Sequence, residues 1–202
     1  MRIILISFLI LINSSFIKPD ILLKDENKDY SGSQSYYEKI FNISNSIYQK
    51  WKQKSRTRRV IIIDFSKPME EDRLFVVDLD SGKILKSSRV CHGYGSGTTS
   101  IPTKFSNVNN SKTSSKGVMV TAETYQGRWG YSMRVDGLQE GLNSNVRKRA
   151  IVFHTSDVQR RFFSLGCFSI PGKDYRNVID LTKNGSLIFV FSNHGDIEKN
   201  IK

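Results

Sequence analysis

The sequence predicts a mainly β fold, a β-sandwich or barrel-like sheet with short helices, preceded by one amphipathic N-terminal helix. Three observations carry this expectation. Short β-branched and aromatic runs follow one another after residue 59, Gly- and Ser-rich connections separate them, and a single apolar stripe at helical spacing comes before them.

The stripe is Tyr37, Ile40, Phe41, Ser44, Ile47, Tyr48 and Trp51, at steps of three and four, which puts one broad apolar face on a helix packed against the main domain. Ser35 followed by Glu38 has the form of a capping box at its start. Among the strands, Val60 to Phe65 is a β-branched and aromatic run, broken only by Asp64 and closed by Ser66-Lys67-Pro68, and reads as a buried strand. Leu74 to Leu79 and Ile84 to Val90 flank Asp80-Ser81-Gly82, a hairpin signal. Val118 to Thr124, Tyr131 to Val135, Ala150 to His154 and Leu187 to Phe191 are further strands. Tyr175, Val178, Ile179 and Thr182 suggest a short helix, with Gly185 just past its end. The polar tract Ser106 to Ser115 reads as a mobile loop whose length points to a role near a site.

The chain opens with Arg2, the apolar run Ile3 to Ile12 and Asn13-Ser14-Ser15, the three-part pattern of a secretory signal. The run falls short of the roughly 20 apolar residues of a membrane span. No A-x-A cleavage pattern follows, so a cleaved signal and an N-terminal membrane anchor both stay open. The expected organisation is a signal or anchor over 1–17, linker and amphipathic helix over 18–58, the main domain over 59–194 and a tail over 195–202. Export to the periplasm or cell envelope follows.

The net charge of +12, from 31 basic and 19 acidic residues, attracts polyanions without choosing between nucleic acid, anionic lipid and an anionic wall polymer. No RNP-type motif, zinc-finger spacing or basic helix with interleaved aromatics favours nucleic acid, and none is expected as a partner.

Two cysteines, Cys91 and Cys167, would by default form a disulfide in an exported protein. The surroundings of Cys167 argue for a nucleophile instead. It ends Ser164-Leu165-Gly166-Cys167, and the strand Ala150 to Phe153 before it ends at His154. A cysteine nucleophile needs an imidazole near it and backbone N–H donors where the oxyanion forms, and Gly166 clears the face from which a carbonyl approaches. His92, His154, His194 and the cysteines lack the paired spacing of metal sites, so no metal or cofactor is expected. No G-x-S-x-G elbow offers a serine nucleophile. The glycines of His92-Gly93-Tyr94-Gly95-Ser96-Gly97 lack the Lys-Ser/Thr of a phosphate loop and read as a flexible loop lining a pocket.

From about Val60 to Ser192, roughly two thirds of the chain, the sequence resembles a divergent branch of the murein L,D-transpeptidase catalytic domain family. The matching pieces occur in order. They are Ile63-Asp64-Phe65-Ser66-Lys67-Pro68, the His92 to Gly97 run, Lys104-Phe105-Ser106-Asn107, Gly117, Thr124-Tyr125-Gln126-Gly127, Gly130-Tyr131-Ser132, Gly137-Leu138-Gln139-Glu140-Gly141, Arg149 to His154, and Ser164 to Cys167. The resemblance implies a cysteine acyltransferase that forms a thioester with a peptidoglycan stem peptide, releases D-alanine and passes the acyl group to an amine. By position it implies Cys167 as nucleophile and His154 as base. Ser164 and the backbone of Leu165, Gly166 and Cys167 would serve the oxyanion, and His92 and Tyr131 would bind substrate. An L,D-carboxypeptidase, with water as acceptor, and an inactive wall-binding module remain open, as does the oligomeric state. The chain departs from the family in following His154 with Thr155-Ser156 rather than glycine, in a shortened span from His154 to Cys167, and in Phe168-Ser169-Ile170-Pro171, which lacks the usual arginine or asparagine after the cysteine.

Overall fold

Strand alternation sorts the apolar residues into two layers. In a computed structural model of the chain, residues 31–156 and 163–201 are described. Along β1 (Arg59–Asp64), Ile61 and Ile63 face one core while Val60 and Ile62 face a second. In β8 (Leu187–Phe191), Ile188 and Val190 join the first, and Leu187, Phe189 and Phe191 the second. Both strands are covered on both faces, so both read as unbroken apolar runs, and they pair in parallel as buried strands of this kind do.

The strands form one eight-stranded mixed sheet in the order β3-β2-β1-β8-β4-β5-β6-β7. The remaining strands are β2 (Leu74–Asp78), β3 (Lys83–Ser88), β4 (Gly117–Gly127), β5 (Gly130–Gly137), β6 (Val152–Ser156) and β7 (Phe168–Pro171). Besides β1–β8, only β6–β7 is parallel; the other neighbours are antiparallel. The sheet curls barrel-like rather than splitting into two packed layers. Its outer strands approach each other where Cys91 N–H donates to Ser169 O at 2.9 Å and Ser164 N–H donates to His92 O at 2.9 Å.

One core is closed by α2 (Tyr175–Thr182), through Val178 and Ile179. The other is closed by α1 (Ser31–Trp51), through Ile40, Ile43 and Ile47, and by α3 (His194–Ile201), through Ile197. The predicted stripe of α1 is its buried face. The helix begins a turn earlier than the capping box implied, leaving Ser35 inside it. The sequence missed β7, and residues 195–202, expected to be a tail, supply most of α3. The expected signal or anchor over 1–17 and most of the linker lie outside the described residues.

The glycines of the His92 to Gly97 run answer a packing demand. Residues 94–96 form a single tight turn, and a Cβ on Gly93 would lie 2.3 Å from Lys112 O, while one on Gly95 would lie 2.2 Å from Ser111 O. The 106–115 tract, expected to be mobile, is bonded in place on that run. Gly95 N–H donates to Lys112 O, Gly93 N–H to Ser114 Oγ, and Ser114 N–H to Ser96 Oγ.

Docking of α1 depends on side chains that no water reaches. Ile47→Ala, at a position with no exposed surface, should cost about 2–5 kcal/mol in denaturant-induced unfolding, the usual loss for emptying a buried aliphatic site. A loss below about 0.5 kcal/mol would mean that the helix contributes nothing to the domain.

Candidate active site

A cavity of about 440 Å³ opens where β6 and β7 run side by side, and Cys167, His154, Ser164, Leu165, Ser169, Arg149, Trp129 and Cys91 are on its wall. Parallel pairing of His154 with Ser169 sets the register. Cys167 lies two residues before Ser169, so the strand period of two directs it to the same face. Both cysteines are free thiols.

The turn that presents Cys167 is held at both ends. Ser164 pairs with the 92–94 segment through its N–H to His92 O and through its carbonyl, which accepts from Tyr94 N–H at 2.8 Å. Ser169 O accepts from Cys91 N–H. Between them, Ser164 Oγ accepts from Gly166 N–H at 3.0 Å and donates to Cys167 O at 2.8 Å, folding the turn on itself. Gly166 sits at φ +115, and a Cβ there would lie 2.7 Å from Thr113 O. Only glycine meets both conditions. Ser164 thus shapes the turn with its side chain, while the Leu165 side chain stands 67% exposed at the rim.

His154 is 6% exposed. Its Nδ1 lies 2.6 Å from Thr155 O, and a carbonyl can only accept, so Nδ1 carries the proton. Nε2 faces Ser169 Oγ at 3.0 Å and holds the free lone pair of the neutral ring. Trp129, at the tip of the β4–β5 hairpin, stacks on the ring with centroids 5.4 Å apart and planes 16° apart. Burial holds the imidazole below its ordinary pKa, partly offset by the Thr155 carbonyl. Neutral imidazole is the form that can accept a proton.

Cys167 Sγ donates to Ala150 O at 3.5 Å rather than to His154, although both side chains share the cavity. Ala150, at φ +53, turns the chain in the left-handed region just before β6. Burial pushes the Cys167 thiol up, while the Val152 backbone N–H and the Arg149 guanidinium pull it down. The six residues 157–162 of the shortened span lie outside the described residues.

His92 and Tyr131 do not line this cavity. Tyr131 donates its hydroxyl to Asp180 at 2.8 Å, on the edge of the core. His92 has no exposed surface. Arg73 Nη2 lies 3.0 Å from its Nδ1 and Gly97 O lies 3.2 Å from its Nε2, so the ring is neutral with its proton on Nε2. Sequence reasoning did not single out Trp129, Arg149 or Ser169. The alternation of Cys167 and Ser169 was the signal for the serine; Trp129 reaches the site through a hairpin whose length no local pattern marks. The described residues contain no group of three or more His, Cys, Asp or Glu side chains that could hold a metal.

The family model described as L,D-transpeptidase catalytic domain matches residues 32–191, and the chain belongs to that family. The match takes in α1 and ends with β8. Solved structures similar to the chain include the L,D-transpeptidase from Mycobacterium smegmatis, 13% identical at a TM-score of 0.43, with 67% of this chain and 59% of that one covered. Another is the L,D-transpeptidase from Stackebrandtia nassauensis, 14% identical at a TM-score of 0.44, with 75% and 65% covered. L,D-transpeptidase 1 of Mycobacterium tuberculosis is 12% identical at a TM-score of 0.40, with 66% and 62% covered. The chain thus spans less than two thirds of the length of these structures. No curated protein sequence matches it.

His92 makes stability depend on pH in a definite direction. Burial and the Arg73 charge depress its pKa from 6.5 to about 4. An unfolded chain therefore takes up the proton first, and the stability held above pH 6.5 is lost as pH falls towards 4. His92→Gln can keep both hydrogen bonds without titrating. Comparing unfolding at pH 7 and pH 4, the wild type should lose roughly 3 kcal/mol more than the variant, at about 1.4 kcal/mol per unit. Equal losses would place the ring in water rather than beside Arg73.

Proposed function

We propose that the protein is a peptidoglycan L,D-transpeptidase that works through a thioester at Cys167. The observation that carries this reading is the shared cavity, where Cys167 is presented on a glycine-tightened turn beside a neutral, buried His154.

Cys167 Sγ attacks the carbonyl joining the third and fourth residues of a stem peptide. Its proton passes to the His154 Nε2 lone pair, because Nδ1 is committed to the Thr155 carbonyl. The oxyanion falls to the backbone N–H groups of the Leu165–Cys167 turn; Gly166 N–H is already engaged by Ser164 Oγ, which leaves those of Leu165 and Cys167. Collapse expels the D-alanine amine, protonated by His154, and leaves the acyl group on sulfur. An acceptor amine from a second stem then attacks the thioester, passing its proton to His154 and returning Cys167 as a thiol. Trp129 stacked on the imidazole keeps one face of the base from water.

Incubation with disaccharide-tetrapeptides, followed by mass spectrometry, should give cross-linked dimers with loss of one D-alanine each. Cys167→Ser should remove the product and the acyl adduct on the intact protein, and His154→Ala should lower turnover by about two to four orders of magnitude. Cys91→Ser should retain a titratable reactive thiol. Tripeptides without dimers would make water the acceptor, hence a carboxypeptidase. Wall binding with no adduct and no product would leave only a binding module.

The substrate lies beyond the inner membrane, which assigns an export role to residues 1–17. Deleting them should leave the protein in the cytoplasmic fraction on cell fractionation; a truncated protein still found in the envelope would overturn that role.

A further inference from the structure

Arg149 lines the cavity with Cys167 and is held by four acceptors, none of them charged. Nη1 donates to Ser106 O at 2.5 Å and Ser115 Oγ at 2.7 Å, and Nη2 donates to Ser111 Oγ at 3.2 Å and Thr113 O at 2.6 Å. No carboxylate pairs with it among the described residues. Its Nη2 would lie 3.5 Å from a Cβ on Gly166, the residue next to the nucleophile. A partly buried cation without a counter-ion is costly unless something anionic comes to it.

Two anions could arrive: the sulfur of Cys167 as a thiolate, or a carboxylate on the substrate. The hydrogen-bond inventory separates them. A guanidinium has five N–H donors, and carboxylate recognition uses two in a fork. Here four are spent on neutral groups of the 106–115 tract, and among the described residues only Nε–H remains. Such a group cannot offer a fork without giving up bonds that hold the tract. It can act as a fixed positive charge, through space, at no cost in reorganisation.

The other titratable groups on the described cavity wall do not supply that charge. His154 turns Nδ1 to Thr155 O and Nε2 to Ser169 Oγ and is held neutral by burial. Cys91 is a thiol that burial pushes up, partly offset by Ser156 and by the charges of Arg73 and Arg89. Arg149 is the sole permanent charge among the described residues of the wall.

We infer that Arg149 is the charge partner of Cys167, an immobilised cation that favours the thiolate and the anionic stages of acyl transfer, while His154 serves as the proton acceptor. The inference rests on Cys167 being the nucleophile.

Iodoacetamide alkylation of Cys167, measured against pH in a Cys91→Ser background, tests it. Arg149→Gln, which keeps a planar donor without the charge, should raise the alkylation midpoint by about one unit, a roughly tenfold loss of rate at neutral pH. Arg149→Lys keeps the charge but cannot make all four bonds, and its midpoint should stay within about 0.3 units of the parent's, given that charge is what acts. Ser111→Ala and Ser115→Ala each remove a bond to the guanidinium and leave its charge; both should keep the parent midpoint. They also carry the test if Arg149→Gln does not fold. A midpoint that moves as far in the serine variants or in Arg149→Lys as in Arg149→Gln makes loop geometry the cause and overturns the inference, as does a midpoint indifferent to Arg149→Gln. No alkylation of Cys167 in the parent at any pH would instead defeat the nucleophile assignment.

Discussion

The buried guanidinium of Arg73 is the constraint on which the site depends. It has no exposed surface, and all five of its N–H donors are used. Nε and Nη2 both reach Val90 O, Nη2 also reaches His92 Nδ1, and Nη1 reaches Lys67 O and Ser100 O. Burial pulls its pKa down to about 10, which still leaves it charged at neutral pH. A charge taken this far from water holds its acceptors firmly, because any bond lost leaves an unsatisfied donor in a low dielectric. What it holds is the stretch from Val90 to His92. That stretch in turn pairs with Ser169 through Cys91 and with Ser164 through His92. The turn carrying Cys167 therefore hangs from two points whose spacing an arginine in another strand connection sets.

Arg73 and Arg149 solve the same problem at two depths. Arg73 spends its donors on carbonyls and the His92 ring nitrogen, Arg149 on carbonyls and hydroxyls, and among the described residues neither meets a carboxylate. Arg73 uses all five and is purely a strut. Arg149 uses four among the described residues and stands on the cavity wall. An arginine paired with a carboxylate would present a neutral surface; these two leave net positive charge behind the turn that carries Cys167, where negative charge would develop in the proposed acyl transfer. Arg134 and Arg147, in contrast, pair with Glu123 on β4 and Asp136 on β5, all of them exposed, where solvent screens them.

Most of the strands could be read from the sequence because the sheet is covered on both sides or alternates cleanly. Val60 to Ile63 and Leu187 to Phe191 have no polar interruption, and α1 shows its buried face at steps of three and four. β7 escaped because its four residues include one serine and one proline, and it pairs with β6 in parallel, so no hairpin announces it. α3 escaped because its first turn, His194-Gly195-Asp196, reads as a loop; Asp196 stays there by accepting from Ser192 and from Lys116. At the site, the pairing of Cys167 with His154 in one cavity was visible through the family resemblance, not through spacing. The histidine of the His92 to Gly97 run looked like a pocket residue because its glycines did. Those glycines exist to let the backbone of residues 111–114 approach, and the histidine beside them is buried against Arg73. Residue type in a glycine-rich run does not reveal whether the run is open to solvent or packed against another chain segment.

The resting geometry also bears on how the thiol is activated. A preformed thiolate–imidazolium pair requires the ring to be protonated and to point Nε2 at sulfur. Here burial opposes protonation of His154, burial opposes ionisation of Cys167, and the two side chains hydrogen-bond elsewhere. Under the proposed function those facts favour proton transfer coupled to attack over a standing ion pair: the imidazole is kept as a free base, the sulfur as a thiol, and charge would separate only when a carbonyl is present to receive it. Hydrogen bonds between catalytic groups commonly tighten only when substrate is bound, so the Ser169 Oγ contact is one that the ring can exchange as the cavity fills. A fixed cation is of most use in such a scheme. It does not have to gain or lose a proton, it does not have to move, and it acts on whichever sulfur or oxygen carries the negative charge at each stage. A thiol held neutral until substrate arrives is also less open to oxidation than a standing thiolate beside a second free cysteine would be.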